Sequence, residues 1–339
     1  MDSRLYVDIR KGIEQKRDRL YHWLETTPGE KQECQLCAVD DSGVKEHLHV
    51  IDTSLEKIEA GTLGVCQVCH DPVDTELLMM DYTASVCLGH YTEQELRQLE
   101  SELELSQVVQ RALLPQQVPS IPGMDIAAFS RPAQIVSGDY FDFLHFQDGA
   151  HGFVMADVSG HGMSAGMLMT SLQTAFHTLI PETNSPVDVL QRINRLYVHN
   201  VNFSTFVTVF FGRLDLAART LTYASAGHNP ALVHRRDSKE AVWLQPTGPA
   251  IGLTEHFAVR PATIQLADED ILLLYTDGVT EAFNAKMEQF GTERLLDVVR
   301  QNEARYADGL LKSVRQALND FTNGQPLVDD VTLVVCKVK

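Results

Sequence analysis

Asp157-Val158-Ser159-Gly160-His161-Gly162 closes an apolar run that begins at residue 152, and it is one of four short acidic motifs in the C-terminal two-thirds of the chain. The other three are Ser137-Gly138-Asp139-Tyr140, Tyr275-Thr276-Asp277-Gly278 and Asp329-Asp330-Val331-Thr332. Each places an aspartate at the end of an apolar run or just before one, and strand ends converge in a folded domain. Clustered carboxylates repel one another unless a cation lies among them, and hard divalent ions such as Mg²⁺ and Mn²⁺ prefer oxygen ligands. The motifs therefore predict a carboxylate-bound metal site that activates water.

The composition of the chain is that of a globular protein. It has 339 residues, enough for two domains, with 44% hydrophobic and 22% charged residues. No apolar run approaches the roughly 20 residues of a membrane helix, and the first residues lack the basic segment and apolar core of a secretory signal. These features predict a cytoplasmic protein that does not bind membranes. The net charge of -18 argues against direct nucleic-acid binding, which normally uses a basic face.

The N-terminal third divides into three predicted segments. Helical periodicity over residues 4–25 predicts an N-terminal helix in segment 1–27, before the helix-breaking Thr27-Pro28-Gly29. Segment 28–91 is rich in Cys and His, with a helix predicted at 52–60. Segment 92–120 is a linker, with a helix predicted at 92–114.

The linker helix has an imperfect heptad seam. Leucines recur at positions 96, 99, 103 and 113, but Ser106 and Gln110 fall where the seam should be apolar. The pattern fits a short, interrupted coiled coil, which would make the protein a homodimer. It fits an ordinary amphipathic linker helix equally well.

Segment 121–339 is predicted to be an α+β domain. Its β-rich runs are 152–158, 206–214, 220–225, 231–234, 271–276 and 331–338, and its helical stretches are 163–180, 186–201, 291–301 and 307–321. Strands dominate and do not alternate regularly with helices. This argues against a doubly wound parallel sheet and favours a layered α+β domain.

Cysteine spacing predicts a zinc site in segment 28–91. Cys66-x2-Cys69 is followed after seventeen residues by Cys87-x2-His90, an arrangement that suits one structural Zn²⁺ in a tetrahedral site. Four protein ligands leave no position for water, so this zinc would hold structure.

The other cysteines are less informative. Cys34-x2-Cys37 could join His47 and His49 in a second metal site, act as a redox pair, or form a knuckle without metal. Cys336 lies in a terminal apolar run and is predicted to be a core residue.

The stretch from residue 52 to Cys69 contains Ile58-Glu59-x-Gly61-x-x-Gly64-x-Cys66-x-x-Cys69, which resembles the zinc-finger region of the DksA/TraR family over about residues 50–91. The fourth ligand is His90 in place of the family's usual cysteine. The long helical hairpin by which DksA enters RNA polymerase has no counterpart. The resemblance therefore implies the zinc fold and not the transcriptional activity.

A second resemblance covers residues 105–339. Its motifs occur in order as Leu105-x5-Arg111-Ala112-Leu113-Leu114-Pro115, Arg131-Pro132-Ala133, Ser137-Gly138-Asp139-Tyr140-Phe141-Asp142, Asp157-Val158-Ser159-Gly160-His161-Gly162, Ala226-Gly227-His228-Asn229-Pro230, Thr276-Asp277-Gly278-Val279-Thr280-Glu281 and Asp329-Asp330-Val331-Thr332. Together they resemble the SpoIIE/RsbU branch of PPM-type protein phosphatases. The resemblance implies an αββα sandwich, here preceded by the zinc-finger module and the linker helix.

The resemblance also implies two Mn²⁺ or Mg²⁺ ions between the two sheets, with roles for the motif residues. Asp157 would bridge the ions, and the Val158 carbonyl would complete one coordination shell. The other ion would be bound by Asp277 and Asp329, with Asp330 as the alternative to Asp329. Asp139 would act through a water of the metal shell. Asp142 is a further candidate that could equally be an exposed acid at a strand end.

By the same resemblance the reaction is hydrolysis of phosphoserine or phosphothreonine through in-line attack of water. The substrate would be an anti-anti-sigma (STAS)-like regulator in a partner-switching pathway, and the zinc module would control the enzyme. Ser159 stands where many eukaryotic relatives have His, so the leaving-group acid is not assigned. The alternative function is a DksA-like protein-binding transcription regulator on a degenerate phosphatase scaffold. The presence of every expected acidic ligand argues against this alternative.

Overall fold

The computed structural model describes residues 10, 13, 14, 17, 21, 42–73, 84–160, 162–200, 205–325 and 327–339. Most of the helix predicted at 4–25 lies outside these residues, as do Cys34, Cys37 and His161. The chain forms two compact units, residues 1–101 and 102–339. The predicted segment boundaries at 27, 91 and 120 stay predictions.

The first unit contains helix α1, Ser42–Glu59, which begins ten residues before the predicted helix. Ile51 and Leu55 lie four residues apart on one helical face and pack with Ile13 and Ile58. The chain leaves the helix through Gly61 at φ 68°, a left-handed conformation that glycine adopts without a steric penalty. The zinc motif follows directly.

Helix α2, Glu93–Leu113, closely matches the predicted linker helix. Thr92 and Glu95 form a reciprocal capping box, in which the Glu95 carboxylate accepts from the Thr92 N–H at 2.8 Å and the Thr92 hydroxyl accepts from the Glu95 N–H at 3.3 Å. The helix ends two residues before Pro115, which disfavours helical geometry in the residue that precedes it.

The second unit contains two five-stranded sheets in which every strand pair is antiparallel. The first sheet has the order β2-β3-β4-β5-β8 and the second has the order β1-β10-β9-β6-β7. The strands are β1 Met124–Arg131, β2 Asp139–His145, β3 His151–Val158, β4 Val207–Asp215, β5 Thr220–Ala226, β6 Ala231–His234, β7 Ala241–Leu244, β8 Ala262–Gln265, β9 Ile271–Tyr275 and β10 Val331–Val338. The helices are α3 Met163–Leu179, α4 Pro186–Asn200, α5 Asp277–Thr280, α6 Gly291–Asn302 and α7 Ala307–Thr322.

Three apolar layers hold these elements together. The first packs α3 and α4 against the outer face of the first sheet, the second lies between the sheets, and the third packs α6 and α7 against the second sheet. Because successive side chains of a strand point to opposite faces, each strand supplies two layers. In β3, Phe153 and Met155 lie between the sheets while Val154 and Ala156 face the helices. The prediction of an αββα sandwich is confirmed.

The hydrophobic pattern predicts the central strands and the four long helices of this unit to within about two residues. It does not predict β1, β2, β7 and β8. Polar residues interrupt the apolar pattern of β1 and β2, and β7 and β8 are four-residue strands at sheet edges. In the described residues, no helix has both the length and the apolar character to cross a membrane.

Candidate metal centre

The four acidic motifs meet at one edge of the sandwich. Strand β2 begins at Asp139 and is paired so that Asp139 lies opposite Asp157 on β3. Strand β9 ends two residues before Asp277, and β10 begins directly after Asp330. The alternation that places Phe153 and Met155 between the sheets places Asp157 on the same face.

Asp139 is buried, with 2% of its surface exposed. Its Oδ2 accepts hydrogen bonds from the Thr276 hydroxyl at 2.8 Å and from the Thr332 hydroxyl at 2.6 Å. Thr332 lies on β10 and Thr276 directly follows β9, so these bonds join the first sheet to the second at the site.

Asp330 organises the loop before β2. Its Oδ1 accepts from the Ala133 N–H at 2.7 Å. Its Oδ2 accepts from the Ser137 hydroxyl at 2.8 Å and from the Gly138 N–H at 2.7 Å. Both oxygens are therefore engaged within the protein. Asp329 is exposed, and its Oδ1 accepts from the Asp330 N–H at 2.8 Å.

Gly278 allows the Asp277 turn to lie against the Asp330 turn. A Cβ atom at position 278 would lie 2.0 Å from the Asp330 carbonyl oxygen, far inside a van der Waals contact. Asp277 begins the short helix α5, and the Glu281 N–H donates to its carbonyl at 2.7 Å. The glycine of the Thr276-Asp277-Gly278 motif is thus required by the packing of two acidic motifs against each other.

The aspartates raise one another's pKa. Burial raises the pKa of Asp157 to about 8, and the charges of Asp277, Asp329 and Asp330 act in the same direction. Burial and the charges of Asp157 and Asp330 raise the pKa of Asp139 well above its usual value, against the hydrogen bonds from the two threonines. Burial, and then Glu281, raise the pKa of Asp277. The site concentrates carboxyl groups in a partly buried environment. A bound cation would stabilise their ionised form there.

The donor chemistry of the site fits hard divalent cations. The available ligand atoms are carboxylate oxygens and the Val158 carbonyl, and the backbone of Gly138 packs closely against that carbonyl, with only 3.0 Å from its oxygen to a hypothetical Cβ. In the described residues, only the Cys66 group brings three or more ligand atoms within 4.8 Å of one another. The aspartates are therefore more widely spread, as suits ions that keep several water ligands.

Three residues of the site make contacts that their motifs alone do not predict. Thr276 and Thr332 hold Asp139. Ser137 donates to Asp330 and accepts from the Asp139 N–H at 3.1 Å. All three lie inside the acidic motifs, so their positions next to the aspartates in sequence are the feature from which these contacts could be predicted.

Asp142 lies away from the other aspartates. Its carboxylate accepts from the Tyr140 hydroxyl at 2.7 Å and lies 2.8 Å from His177 Nε2 on α3. It is 7% exposed, so the interpretation as an exposed strand-end acid is wrong. It has a structural role within the first sheet and its helix layer.

The predicted zinc ligands of the first unit come together in space. The ligand atoms of Cys66, Cys69, Cys87 and His90 all lie within 4.8 Å of one another. Cys69 Sγ and Cys87 Sγ are 3.8 Å apart, which matches the edge of a tetrahedron with Zn–S bonds of about 2.3 Å. Although burial acts to raise the pKa of Cys66, backbone N–H groups of Cys69, Cys87 and Val68 lower it to about 6, which favours the metal-binding thiolate.

Comparison with known proteins identifies relatives of this chain. The family model "Stage II sporulation protein E (SpoIIE)" matches residues 147–339. The phosphoserine phosphatase RsbU of Bacillus subtilis is 31% identical over 271 residues, which cover 77% of this chain and 79% of RsbU.

Two solved structures resemble the fold. The RsbU and RsbW domains of Rv1364c from Mycobacterium tuberculosis match with a TM-score of 0.57 and 29% identity, over 67% of this chain and 63% of that chain. The SiaA-PP2C domain of Pseudomonas aeruginosa matches with a TM-score of 0.65 and 20% identity, over 73% of this chain and all of that domain. At 20% identity, the likeness to the SiaA-PP2C domain shows a similar fold and nothing about function.

Proposed function

Because this chain belongs to the SpoIIE family of PP2C-type serine phosphatases, we propose that it removes phosphate from phosphoserine or phosphothreonine in a STAS-like regulator of a partner-switching pathway. The observation that carries this proposal is the convergence of Asp139, Asp157, Asp277 and Asp329 at one edge of the sandwich. The named function of RsbU supports the phosphoserine substrate.

We assign the carboxylates of Asp157, Asp277 and Asp329 and the Val158 carbonyl as ligands of two Mn²⁺ or Mg²⁺ ions. Bound there, these ions would supply an activated water and offset charge on the phosphoryl oxygens. Asp330 is assigned as an organiser of the site, since Ala133, Ser137 and Gly138 already occupy its oxygens.

The protein's own residues then fix the geometry of the reaction. Thr276 and Thr332 hold the Asp139 carboxylate from the opposite sheet, so that it acts as a fixed acceptor toward water. Gly278 allows the Asp277 and Asp330 turns to lie in contact. Such fixed acceptors reduce the reorganisation that the reaction requires.

The test is phosphate release from a serine-phosphorylated STAS-domain protein with Mn²⁺, with Mg²⁺ and with EDTA. Release that depends on the added metal supports the proposal. Binding of the phosphoprotein without any release would favour a degenerate scaffold, which is the DksA-like alternative.

The first unit is proposed to hold one structural Zn²⁺ through Cys66, Cys69, Cys87 and His90. We expect about one zinc per purified chain, and His90→Ala to lower that content because it removes one of four ligands. Metal analysis of the dialysed protein measures the zinc content per chain. His70→Asn is the matched control, because His70 is exposed, lies outside the ligand group and has φ 62°, a conformation that Asn tolerates. Equal zinc contents in both variants would contradict the assignment.

We also propose that the linker helix transmits the state of the zinc module to the phosphatase, with dimerisation as a contributor. The contacts of Gln110 support this. Its Nε2 donates to the Ser137 carbonyl at 2.7 Å, and its Oε1 accepts from the Ser137 N–H at 2.8 Å. Gln110 is buried against the loop that precedes Asp139, so it is an anchor to the phosphatase and not a flaw in a helix–helix seam.

Gln110→Leu is therefore expected to change phosphatase activity by about tenfold or more, since small displacements near reacting groups have large effects. Ser106→Leu is the comparison, because the Ser106 hydroxyl only donates to the Glu102 carbonyl within the helix. It is expected to act on the oligomeric state. Steady-state rates and light scattering measure the two effects, and an unchanged rate in Gln110→Leu would contradict the coupling.

A further inference from the structure

His228 lies between the two sheets beside the metal centre. It is 3% exposed, and its Nδ1 lies 2.8 Å from the hydroxyl of Thr208 on β4. Thr208 is paired directly with Asp157 on β3. One side of the imidazole is thus attached to the strand next to the proposed bridging aspartate.

The other side of the ring lies near the main chain of Tyr275. Burial lowers the pKa of His228 to about 4, and a contact with the Tyr275 backbone acts in the opposite direction. The ring is therefore neutral near pH 7, with one donor and one acceptor nitrogen. Its buried Nε2 has no partner at regular hydrogen-bond geometry, and the Tyr275 main chain is the nearby group that this nitrogen can serve.

The strand pairing around Tyr275 shows why its carbonyl needs a hydrogen-bond donor from a side chain. The Thr276 N–H donates to the Thr332 carbonyl on β10 at 3.1 Å, so the polar groups of Tyr275 point the other way, toward β6. The β6–β9 ladder ends at the pair of Leu232 with Leu273, and β6 begins at Ala231, so the ladder does not reach Tyr275. The Tyr275 carbonyl therefore has no partner in the β6 ladder, and Pro230, directly before β6, has no N–H to donate.

We propose that His228 is a positioning residue that joins Thr208 to the Tyr275 backbone and so sets the spacing between Asp157 and Asp277. Nδ1 accepts from the Thr208 hydroxyl, and Nε2–H is directed at the Tyr275 carbonyl, which lies beyond the end of the β6 ladder. The side chain takes part in no proton transfer. This role rests on the proposed metal site, and it adds His228 to the residues that hold the metal ligands in position.

The test is Mn²⁺ binding without substrate, measured by electron paramagnetic resonance of free Mn²⁺, together with thermal unfolding in EDTA. His228→Phe removes the Thr208 hydrogen bond and the Nε2–H directed at Tyr275, and it is expected to weaken Mn²⁺ binding by about 10- to 100-fold, the usual effect of losing a partner behind metal ligands. His228→Gln places an amide N–H near the Nε2 position and is expected to recover part of the affinity.

His234→Gln is the matched control. His234 is fully buried at the end of β6, but it contacts Glu303 at 2.7 Å and pairs with Ile271 at the opposite end of β9. It should lower the unfolding temperature and leave the Mn²⁺ affinity unchanged. Should His228→Phe not fold, Thr208→Val removes only the Thr208 hydroxyl and is expected to weaken Mn²⁺ binding in the same direction.

Wild-type Mn²⁺ affinity in the His228 and Thr208 variants, or a loss no greater than that of His234→Gln, would overturn the positioning role. That result differs from failure of the proposed function, in which the wild-type chain itself would bind no Mn²⁺ with measurable affinity.

Discussion

Asp157→Asn is expected to lower Mn²⁺-dependent phosphatase activity by at least about a thousandfold. The proposed ions contribute several kcal/mol to the transition state, and each factor of ten corresponds to about 1.4 kcal/mol. Asp157 is the carboxylate that interacts with Asp277, Asp329 and Asp330 together, so its charge is central to the site. Initial rates on a generic phosphate ester measure the loss without requiring knowledge of the protein substrate.

Thermal unfolding separates loss of metal from loss of fold in this variant. The pKa of Asp157 in the fold is raised to about 8, above its value in the unfolded chain. At neutral pH the metal-free fold must therefore take up a proton at Asp157 that the unfolded chain does not bind, which destabilises the fold. The metal-free variant should therefore be at least as stable as wild type, and Mn²⁺ should stabilise it less. Asp142→Asn is the matched control, since Asp142 is a buried aspartate bonded to Tyr140 and His177. It should retain metal-dependent activity, and equal losses in both variants would refute the assignment.

Gly278→Ala is expected to damage both stability and activity through one added methyl group. The new Cβ would lie 2.0 Å from the Asp330 carbonyl oxygen, so the two turns must separate by more than an ångström. Overpacking of this kind typically costs about 1–3 kcal/mol, and a displacement of about 1 Å near reacting groups can lower a rate about 100-fold. Chemical denaturation and initial rates, measured on the same preparation, check both effects.

Gly309→Ala provides the comparison for this substitution. Gly309 lies within helix α7, and the nearest atoms to its added Cβ would belong to the flexible Arg305 side chain, at 3.3 Å and beyond. Alanine is favoured over glycine in a helix interior by roughly 1 kcal/mol, so this variant should be as stable as wild type or more so. Full activity in Gly278→Ala would show that the two acidic turns need not remain in contact.

The layered architecture could be predicted because local pattern and global packing agree. The central strands, such as β9 and β10, are continuous apolar runs bounded by polar motifs, and the four long helices of the phosphatase unit have clear periodicity. Strand β2 could not be predicted in this way, because Asp139 and Asp142 interrupt its pattern. Asp139 is bonded by Thr276 and Thr332 and Asp142 by His177, all from elsewhere in the fold, and Tyr140 of the same strand also donates to Asp142.

The aspartates of the candidate site could be predicted from their motifs, whereas their supporting residues could not. The contacts of Ser137 with Asp330 and of Gln110 with Ser137 join residues 193 and 27 positions apart. A sequence pattern contains no such pairing. Gln110 shows the consequence most clearly, since its heptad position predicted a weak seam while its buried amide anchors the helix to the loop before Asp139.

The number and coupling of Mn²⁺ ions bound per chain, measured by electron paramagnetic resonance at saturation, test the metal centre most directly. Zinc-replete wild-type protein should bind two ions whose spins are coupled through the shared Asp157 carboxylate, and Asp157→Asn should lose that coupling. Wild-type protein that binds no Mn²⁺, or whose bound Mn²⁺ is unaffected by Asp157→Asn, would contradict the account.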